Sequence, residues 1–320
     1  MIDRIESLPV FEGDYPYLER KLTGLWSFDR ALGNPETKEW GLPLRSIIQL
    51  YGHKHIGKST LSYYLAGCVD PKGVITLVDI EGFDRKYIIQ AASSSGFAGT
   101  IRQVADRGDK GKPRFHAQMI QDLALSIDED EVSATVFDSV SAYQSQSEKE
   151  GKIGEANMGK RAKEVAQFSR LTAGALRYAD KPKVALVVNH AYQIVGGRGH
   201  TTAGGEVLSN LSAAMIYMWR MQDGKLSDDR DDFIAKGVVE KLRFGGKGRK
   251  FRVAYIAGRG VHKGLTAMFD CIALELAERG TTVKLNGESQ GRIGTLIKAA
   301  QEGDNKAFVP FEKALAAYKG

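Results

Sequence analysis

The chain has few cysteines and no long apolar run, and these two shortages exclude whole classes of protein. Two cysteines among 320 residues, Cys68 and Cys271, have neither a CxxC spacing nor neighbouring histidines, which excludes a disulfide-stapled scaffold and favours reduced, buried thiols. The longest apolar runs, such as Val184–Val188, are far too short to cross a bilayer. Residues 1–10 hold two acidic residues and no apolar segment, so we expect no secretory signal there. These absences favour a cytoplasmic globular protein without a membrane partner.

Basic residues outnumber acidic ones, 45 to 39, which gives a formal net charge of +6 and a pI of about 9.1. The basic residues are concentrated in Lys149–Lys163 and in Arg243–Arg252. Charge alone leaves two interpretations open, a solvated basic face or a surface for a polyanion such as nucleic acid.

One stretch matches the phosphate-binding pattern GxxxxGK[ST] and lies in the context that this pattern requires. Ser46–Tyr51 before it is a short apolar run of strand type, and the residues after it place apolar side chains at helical spacing. Strand, glycine loop and helix together predict a nucleotide site. The nine residues of the loop are Gly52, His53, Lys54, His55, Ile56, Gly57, Lys58, Ser59 and Thr60.

The residue types in this loop suit phosphate for physical reasons. The two glycines let backbone N–H groups converge on phosphate oxygens, and the helix that follows points its positive end at them. Lys58 adds a mobile positive charge, and Ser59 offers a hydroxyl to Mg²⁺. The loop therefore predicts ATP and Mg²⁺ as cofactors.

ATP hydrolysis also needs an acid near Mg²⁺ and a base for the attacking water, and two strand ends supply candidates. Ala134–Asp138 is an apolar strand that ends in a carboxylate, so we expect Asp138 beside the metal. The alternative is that Asp138 only caps the following turn. Glu81 follows the apolar strand Val74–Asp79, at the edge where α/β sheets place ligands. We expect Glu81 to orient or deprotonate the water.

The rest of the pattern divides the chain into an arm, a core and a small final domain. Residues 1–21 are polar with scattered aromatics and are interrupted by two prolines and a glycine, which predicts an extended arm. Strand and helix patterns alternate in residues 22–260, which predicts parallel strands covered by helices on both faces. Residues 261–320 form the small domain and begin with a predicted helix over Gly264–Arg279.

The last part of the core has a different pattern, because strands follow one another after Gly205 without intervening helices. They are expected at Ala213–Met221, Gly237–Phe244 and Phe251–Ala257. We expect these strands to extend the sheet as an antiparallel edge.

Four segments of the chain carry a resemblance to a known family. They are Leu77–Asp84, Phe137–Val140, Glu150–Gly159 and Thr201–Gly205. In this order and spacing they resemble the RecA family of DNA strand-exchange recombinases, and the similarity runs over about residues 22 to 315. It implies an α/β fold of RecA type, with a P-loop ATPase core on a mostly parallel central sheet, a short N-terminal arm and a small C-terminal α+β domain.

In the RecA family two loops at the carboxyl ends of core strands bind single-stranded DNA, and the resemblance implies the same role here. Both loops are long and rich in glycine, and Lys163 and Arg170 lie two helical turns apart, so both can face one phosphate backbone. The alternative is that they only face solvent. Gly204 and Gly205 are expected to bring backbone amides close to the DNA. The implied DNA-binding residues are Gly151, Lys152, Asn157, Met158, Lys163, Arg170, Tyr192, Val195, Arg198, Gly204 and Gly205.

The resemblance also implies roles around the nucleotide. Asp84 and Tyr87 match the pair that contacts adenine, with Tyr87 stacking on the base. Where the family has a glutamine that senses the γ-phosphate, this chain has His190, whose imidazole can donate a hydrogen bond but adds pH sensitivity. Lys241 and Arg243 are expected to reach the γ-phosphate of a neighbouring subunit. The implied catalytic residues are Glu81, Lys58 and His190.

The function that the resemblance implies is an ATP-dependent recombinase. Such a protein is a DNA-dependent ATPase that forms helical filaments on single-stranded DNA and pairs it with homologous double-stranded DNA. Two alternatives stay open: a RecA-fold ATPase that does not recombine, such as a helicase or a recombination mediator, and a DNA-binding filament protein with negligible ATPase. The expected location is the cytoplasm with the nucleoid, or the host cytoplasm if the chain is viral.

The arm is expected to make the contact between subunits. Its apolar side chains, Val10 and Phe11 among them, are more numerous than a free tail needs, so we expect them to plug a groove on the neighbouring subunit. The alternative is that the arm packs on its own core.

Overall fold

A computed structural model describes residues 19–108, 112–150, 159–193, 200–243 and 246–318. Most of the predicted arm, including Val10 and Phe11, lies outside these ranges. The helices are α1 (Trp26–Leu32), α2 (Lys58–Val69), α3 (Arg85–Ser93), α4 (His116–Leu125), α5 (Gln146–Glu150), α6 (Lys160–Tyr178), α7 (Gly205–Leu211), α8 (Lys263–Ala273), α9 (Ile293–Glu302) and α10 (Val309–Ala317). The strands are β1 (Arg20–Lys21), β2 (Leu42–Pro43), β3 (Ser46–Gly52), β4 (Val74–Asp79), β5 (Thr100–Gln103), β6 (Val132–Asp138), β7 (Val184–Gln193), β8 (His200–Thr202), β9 (Ser212–Lys225), β10 (Phe233–Leu242), β11 (Lys250–Ile256), β12 (Gly260–Val261), β13 (Ala277–Arg279), β14 (Thr282–Leu285) and β15 (Glu288–Arg292).

A ten-stranded mixed sheet forms the centre of the core. Its strand order is β12-β11-β10-β9-β3-β7-β6-β4-β5, and β8 pairs with β7. The six strands from β9 to β5 in this order are parallel to one another, while β10, β11 and β12 add an antiparallel edge. The prediction of a mostly parallel sheet is therefore confirmed.

Two details of the predicted antiparallel edge were wrong. β9 belongs to the parallel part of the sheet, because it pairs with β3 in parallel register. A helix, α7, also precedes it where the pattern showed only strands. This helix has seven residues, which is too short for a helical period to be distinguished in the sequence.

Helices cover both faces of the sheet, as the alternating pattern predicts. Successive strand residues point to opposite faces, and on β3 Ile48 packs in a cluster with Leu61 of α2, while Ile47 packs with Phe168 of α6. All seven residues of β3 are buried. Burial of such aliphatic side chains stabilises the core by roughly 1.5 to 3 kcal/mol each. The strand that carries the phosphate loop is thus buried along its whole length.

The chain after β12 forms a three-stranded antiparallel sheet, β13-β14-β15, packed with α8, α9 and α10 around a third apolar cluster. The predicted helix over Gly264–Arg279 was wrong at its carboxyl end. α8 ends at Ala273, Glu275 has a left-handed φ of +59°, and Ala277–Arg279 pairs with β14. Leu276, just before this short strand, lies four residues after Ile272 and so continues the helical spacing, and the pattern gave no sign of the break.

Cys68 and Cys271 are both buried and unpaired, as the sequence predicts. Burial raises the pKa of each thiol to about 12, so neither is ionised near neutral pH. In the described part of the chain, no helix is both long enough and apolar enough to span a membrane.

Candidate functional site

The phosphate loop joins the carboxyl end of β3 to the amino end of α2. β3 ends at Gly52 and α2 begins at Lys58. Gly57 adopts a left-handed φ of +83°, and a Cβ there would lie 2.6 Å from the ring of Tyr255. A Cβ on Gly52 would lie 2.3 Å from the carbonyl oxygen of Met218. Close packing therefore requires both glycines, and the loop leads into a helix N-terminus whose first N–H groups are open to an anion.

Lys58 is held inside this loop. Its ammonium donates a hydrogen bond of 2.6 Å to the His53 carbonyl oxygen, and only 5% of the residue is exposed. Burial lowers the pKa of Lys58 to about 8, while the charges of Asp138 and Glu81 act in the opposite direction. A phosphate oxygen is a stronger partner for an ammonium than a neutral carbonyl. Lys58 is therefore placed to exchange His53 for an anionic ligand.

Asp138 ends β6 and is fully buried. Its Oδ2 accepts a hydrogen bond of 3.1 Å from the Tyr63 hydroxyl, whereas Oδ1 is buried without a hydrogen-bond partner among the described residues. Burial raises the pKa of Asp138 to about 7 against the lowering effect of the Ser59 hydroxyl, and the charge of Glu81 adds to the rise. A buried carboxylate with an unpaired oxygen is unfavourable unless a proton or a cation compensates it.

The oxygen atoms of Ser59 and Asp138 fit the Mg²⁺ that the sequence predicts. This cation prefers oxygen ligands, and one carboxylate oxygen of Asp138 has no hydrogen-bond partner in the part of the chain that the structure describes. In the described ranges, no group of three or more His, Cys, Asp or Glu side chains forms a metal site by itself. Two protein ligands leave the rest of an octahedral shell to water and phosphate oxygens. This is the usual arrangement for Mg²⁺ that binds together with a nucleotide.

Glu81 follows β4 and contacts two side chains. The Ser139 hydroxyl donates a 2.6 Å hydrogen bond to Glu81 Oε1, and His190 Nε2 lies 3.5 Å from the same oxygen. The Glu81 side chain is 30% exposed. His190 and, to a smaller extent, Ser139 lower the pKa of Glu81 to about 2 against the effect of burial. Glu81 is therefore a charged carboxylate at neutral pH.

The sequence singled out Glu81 and His190 separately, and the structure brings them together. It did not single out Ser139, although this residue directly follows Asp138 and could have been noted for its hydroxyl. Asn189, the residue before His190, was not singled out either. The buried Asn189 amide donates a 2.7 Å hydrogen bond to the Ala203 carbonyl oxygen, and its Oδ1 accepts the His190 N–H at 2.9 Å. Asn189 thus ties β7 to the segment that returns from the second loop.

Two adjoining clefts open over these residues. The larger has a volume of about 620 Å³ and is lined by the loop from Lys54 to Ser59 together with Glu81 and His190. The smaller, of about 290 Å³, is lined by Tyr255 and the turn after it. Tyr87 borders both clefts, and its hydroxyl shares a hydrogen bond with Thr60. A polyphosphate suits the larger cleft and a flat aromatic base suits the smaller.

Three residues that were predicted to contact the nucleotide form hydrogen bonds within the protein instead. Asp84 is exposed, and its carboxylate caps α3 by accepting the Lys86 N–H at 3.0 Å. Lys241 donates to the Ser209 carbonyl oxygen at 2.5 Å, and Arg243 donates to a neighbouring carbonyl at the end of α7. Lys241 pairs with Met215 on β9, three residues before the Met218 that pairs with Gly52. The structure therefore does not bring Lys241 or Arg243 to the phosphate loop of the same chain.

The predicted DNA-binding residues are only partly described. Lys163 and Arg170 are exposed on α6, and Tyr192 is 45% exposed near the end of β7. Gly204 is buried, and a Cβ there would lie 3.0 Å from side-chain atoms of Val140 and Val165. Gly204 thus serves close packing in the core, and Gly205 begins α7. The other predicted residues lie outside the described ranges; they are Gly151, Lys152, Asn157, Met158, Val195 and Arg198.

A model of the RecA N-terminal domain matches residues 16–261 of this sequence. The match covers more than half of the chain, including all the site residues above. The chain belongs to the RecA family. Its RecA-type core therefore comprises the ten-stranded sheet with the phosphate loop on β3.

RecA proteins from distant bacteria are similar to most of this chain. Protein RecA of Bifidobacterium breve is 26% identical over 284 residues, which are 86% of this chain and 66% of that protein. Protein RecA of Synechococcus elongatus is 27% identical over 303 residues, 90% of this chain and 78% of that protein. The chain thus spans about two thirds of the length of the Bifidobacterium relative.

A solved structure of the RadB recombinase has the same kind of fold as this RecA-family chain. The two superpose with a TM-score of 0.50 at 16% sequence identity, over 69% of this chain and 92% of the other. At this identity the likeness supports the RecA-type fold alone.

Proposed function

We propose that the chain binds ATP with Mg²⁺ in the larger cleft. The loop N–H groups and Lys58 would hold the phosphates, and Ser59 and Asp138 would hold Mg²⁺, which neutralises phosphate charge when bound. Support comes from Lys58, whose buried ammonium has a carbonyl as its hydrogen-bond partner, and from the unpaired Asp138 oxygen. Tyr87 would stack on the base between the two clefts, with Asp84 at the rim.

Glu81 is our proposed base for the attacking water. A carboxylate with a pKa of about 2 is a weak proton acceptor, so Glu81 must lose part of its present stabilisation before it acts. The negative charge of a bound triphosphate raises the pKa of a nearby carboxylate. If His190 turns to the γ-phosphate, Glu81 loses the partner that lowers its pKa most. His190 would thus both sense the γ-phosphate and release the base.

We further propose that the chain polymerises on single-stranded DNA and exchanges strands with homologous duplex, as a recombinase in the cytoplasm. Membership of the RecA family over residues 16–261 is the observation that carries this proposal. Lys163 and Arg170 on the exposed side of α6 would track the DNA backbone, and Tyr192 would press against bases. The other predicted DNA-binding residues, which lie outside the described ranges, keep their proposed role in binding single strands.

The second candidate is a RecA-fold ATPase that does not recombine. It is favoured by the contacts of Lys241 and Arg243, whose charged groups are already bonded to carbonyls of α7. If these residues keep those contacts in an assembly, neighbouring subunits lose the proposed cations at the γ-phosphate. ATP hydrolysis would then not be coupled from subunit to subunit.

ATP turnover with and without single-stranded DNA tests the proposal, with Lys58→Ala as the variant. We expect turnover in the wild type that DNA stimulates, and loss of most nucleotide binding in the variant, because a charge-assisted phosphate contact is lost. Lys72→Ala is the matched control. Lys72 is exposed just before the amino end of β4, at the opposite end of the strands from the phosphate loop, so this variant should behave as wild type. Unchanged nucleotide affinity in Lys58→Ala would refute the site.

A further inference from the structure

Four rings form a continuous chain of contacts between the phosphate loop and β8. We call Tyr51, His53, His200 and Tyr217 the ring cluster. The His200 ring stacks on Tyr217 with centroids 4.8 Å apart, and the His53 ring meets His200 edge to face at 5.8 Å. Tyr51 contacts Tyr217 at 5.5 Å. Tyr51 and His53 flank Gly52, so the cluster holds the phosphate loop on both sides of its first glycine.

The ring cluster is anchored to rigid elements. Tyr51 is buried at the end of β3, and its hydroxyl donates a hydrogen bond to Glu240 of β10. Tyr217 lies on β9 and stacks also on Trp219 at 5.7 Å. His200 is the first residue of β8, where it pairs with Gln193 of β7. A ring contact at His200 therefore connects the sheet to the strand that follows the second predicted DNA loop.

Lys58 connects this cluster to the phosphate site. Its ammonium donates to the carbonyl oxygen of His53, whose ring contacts His200. A phosphate in the loop competes with that carbonyl for Lys58, and the charged acceptor forms the stronger hydrogen bond. When Lys58 changes partner, the His53 peptide loses the bond that holds it. An exchange of the Lys58 partner therefore acts on the backbone of the residue whose ring contacts His200.

We propose that the ring cluster transmits phosphate binding to β8, the strand that follows the second predicted DNA loop, with His200 as the positioning residue. The exchange of Lys58 between His53 and phosphate is the two-state element that such coupling requires. This inference rests on the proposed function, because it concerns how the ATP and DNA sites of that function communicate. It adds a connection separate from His190, which lies beside Glu81. Coupling of this kind is reciprocal, so DNA must tighten ATP binding by the factor by which ATP tightens DNA binding.

Two variants of His200 test the inference. His200→Ala removes both ring contacts, whereas His200→Phe keeps a flat ring for Tyr217 and His53. The measurement is the affinity for a fluorescent oligo-dT strand with and without Mg²⁺ and a slowly hydrolysed ATP analogue. We expect His200→Ala to reduce the ratio of the two affinities at least about fivefold, a typical lower limit for allosteric coupling, and His200→Phe to keep the wild-type ratio.

Controls separate coupling from damage to the fold. Analogue affinity without DNA should stay within about twofold of wild type in both variants, since no bond to phosphate is removed. His116→Ala is the matched control, because His116 also contacts a tyrosine ring, that of Tyr143 at 5.8 Å, and this ring is outside the ring cluster. It should leave the ratio unchanged. A wild-type ratio in His200→Ala overturns the inference.

Hydrogen exchange tests the same inference without DNA. Binding of the analogue should change amide exchange at residues 200–202 in the wild type and in His200→Phe, and not in His200→Ala. An equal response in all three proteins overturns the ring cluster as the connection. If wild-type DNA affinity does not respond to the analogue at all, the proposed function fails, and the exchange result still decides whether the phosphate loop and β8 are coupled.

Discussion

Asp138 is the last residue of β6 and Glu81 follows the neighbouring parallel strand β4, yet their environments shift their pKa values in opposite directions. Burial keeps the pKa of Asp138 high, while His190 and Ser139 keep that of Glu81 low. At the scale of single residues, one carboxylate thus needs a cation and the other is a preformed charge. These are the different properties expected of a metal ligand and of a group that acts on water.

Glu81→Gln should bind ATP like the wild type and lose turnover by about 10² to 10⁴-fold, because an amide holds the same space but cannot accept a proton. Binding can be measured by fluorescence of a labelled nucleotide, and turnover by phosphate release. Glu278→Gln, an exposed glutamate in β13, is the control. Turnover that survives in Glu81→Gln would place the base elsewhere.

Functional residues could be predicted from the sequence where they belong to one short motif. The phosphate loop, Asp138 and Glu81 could be found because each follows an apolar strand at a known offset. The contacts of His190 with Glu81, and of His53 with His200, could not, because they join residues more than a hundred positions apart. Such contacts depend on the register of strands, which a single sequence does not determine.

At the scale of elements, α6 is the helix whose exposed side carries the proposed DNA contacts. Lys163 and Arg170 are both exposed on it, two turns apart. Its opposite side packs on the core through Val165, Phe168 and Leu176. A helix that is anchored on one side and basic on the other suits backbone tracking.

Lys163→Ala combined with Arg170→Ala should weaken binding to single strands of every sequence by a similar factor. The slope of log affinity against log salt should flatten by about 0.7 per lost phosphate contact. Salt titrations with oligo-dT and mixed-sequence strands provide the measurement. The double variant Arg279→Ala and Lys284→Ala, also exposed and basic, is the control with equal loss of charge. A loss confined to one sequence would contradict backbone tracking.

The contact between α8 and α1 gives a prediction about pH. Asp270 of α8 is buried and accepts the Ser27 N–H of α1 at 3.1 Å, while its other oxygen lacks a hydrogen-bond partner in the described part of the chain. Burial raises the pKa of Asp270 from 3.8 to about 7. The folded protein therefore binds this proton more tightly than the unfolded chain. The stabilisation is complete below about pH 4 and is lost as pH rises through about 7.

Asp270→Asn mimics the protonated carboxyl and should remove this part of the pH dependence. In urea titrations from pH 5 to 8, the free energy of unfolding of the variant should rise relative to the wild type as pH increases. Asp228→Asn, at a fully exposed position, is the control. The difference between its free energy of unfolding and that of the wild type should not change with pH. If the difference in free energy of unfolding between Asp270→Asn and the wild type is also independent of pH, Asp270 does not contribute to the pH dependence of stability.

Elements were predictable from the sequence where the period was long and unbroken. α2 and α6 span 12 and 19 residues, and their patterns were visible. α7 was missed because two helical turns give no clear period, and the end of α8 was missed because the left-handed Glu275 is not a residue that signals a break. The parallel pairing of β9 with β3 depends on the order of strands in the whole sheet, and the residues of β9 alone do not indicate it.

At the scale of the whole molecule, the proposed filament needs two different surfaces on each subunit. We expect the N-terminal arm to provide one of them. A protein truncated near Lys21, to begin at Glu19 just before β1, or the Phe11→Ala variant, should stay folded and bind ATP, but lose filaments and DNA-stimulated turnover. Burial of a phenylalanine contributes roughly 1.5 to 3 kcal/mol at each interface. Electron microscopy on single-stranded DNA and thermal melting provide the measurements, with Asp3→Ala as the control in the arm.

The melting data decide between the two interpretations of the arm. If the truncated protein melts many degrees lower and still polymerises, the arm packs on its own core. The subunit contact must then lie on another surface of the molecule.

Strand exchange tests the central claim most directly, because an ATPase that does not recombine can also bind ATP and hydrolyse it in response to DNA. Circular single-stranded DNA and a homologous linear duplex are incubated with the protein, ATP and Mg²⁺, and joint molecules are separated on a gel. We predict joint molecules with the wild type, and none with Lys58→Ala or with a heterologous duplex. DNA-stimulated ATP turnover in the wild type without any joint molecules would contradict the recombinase and support the ATPase that does not recombine.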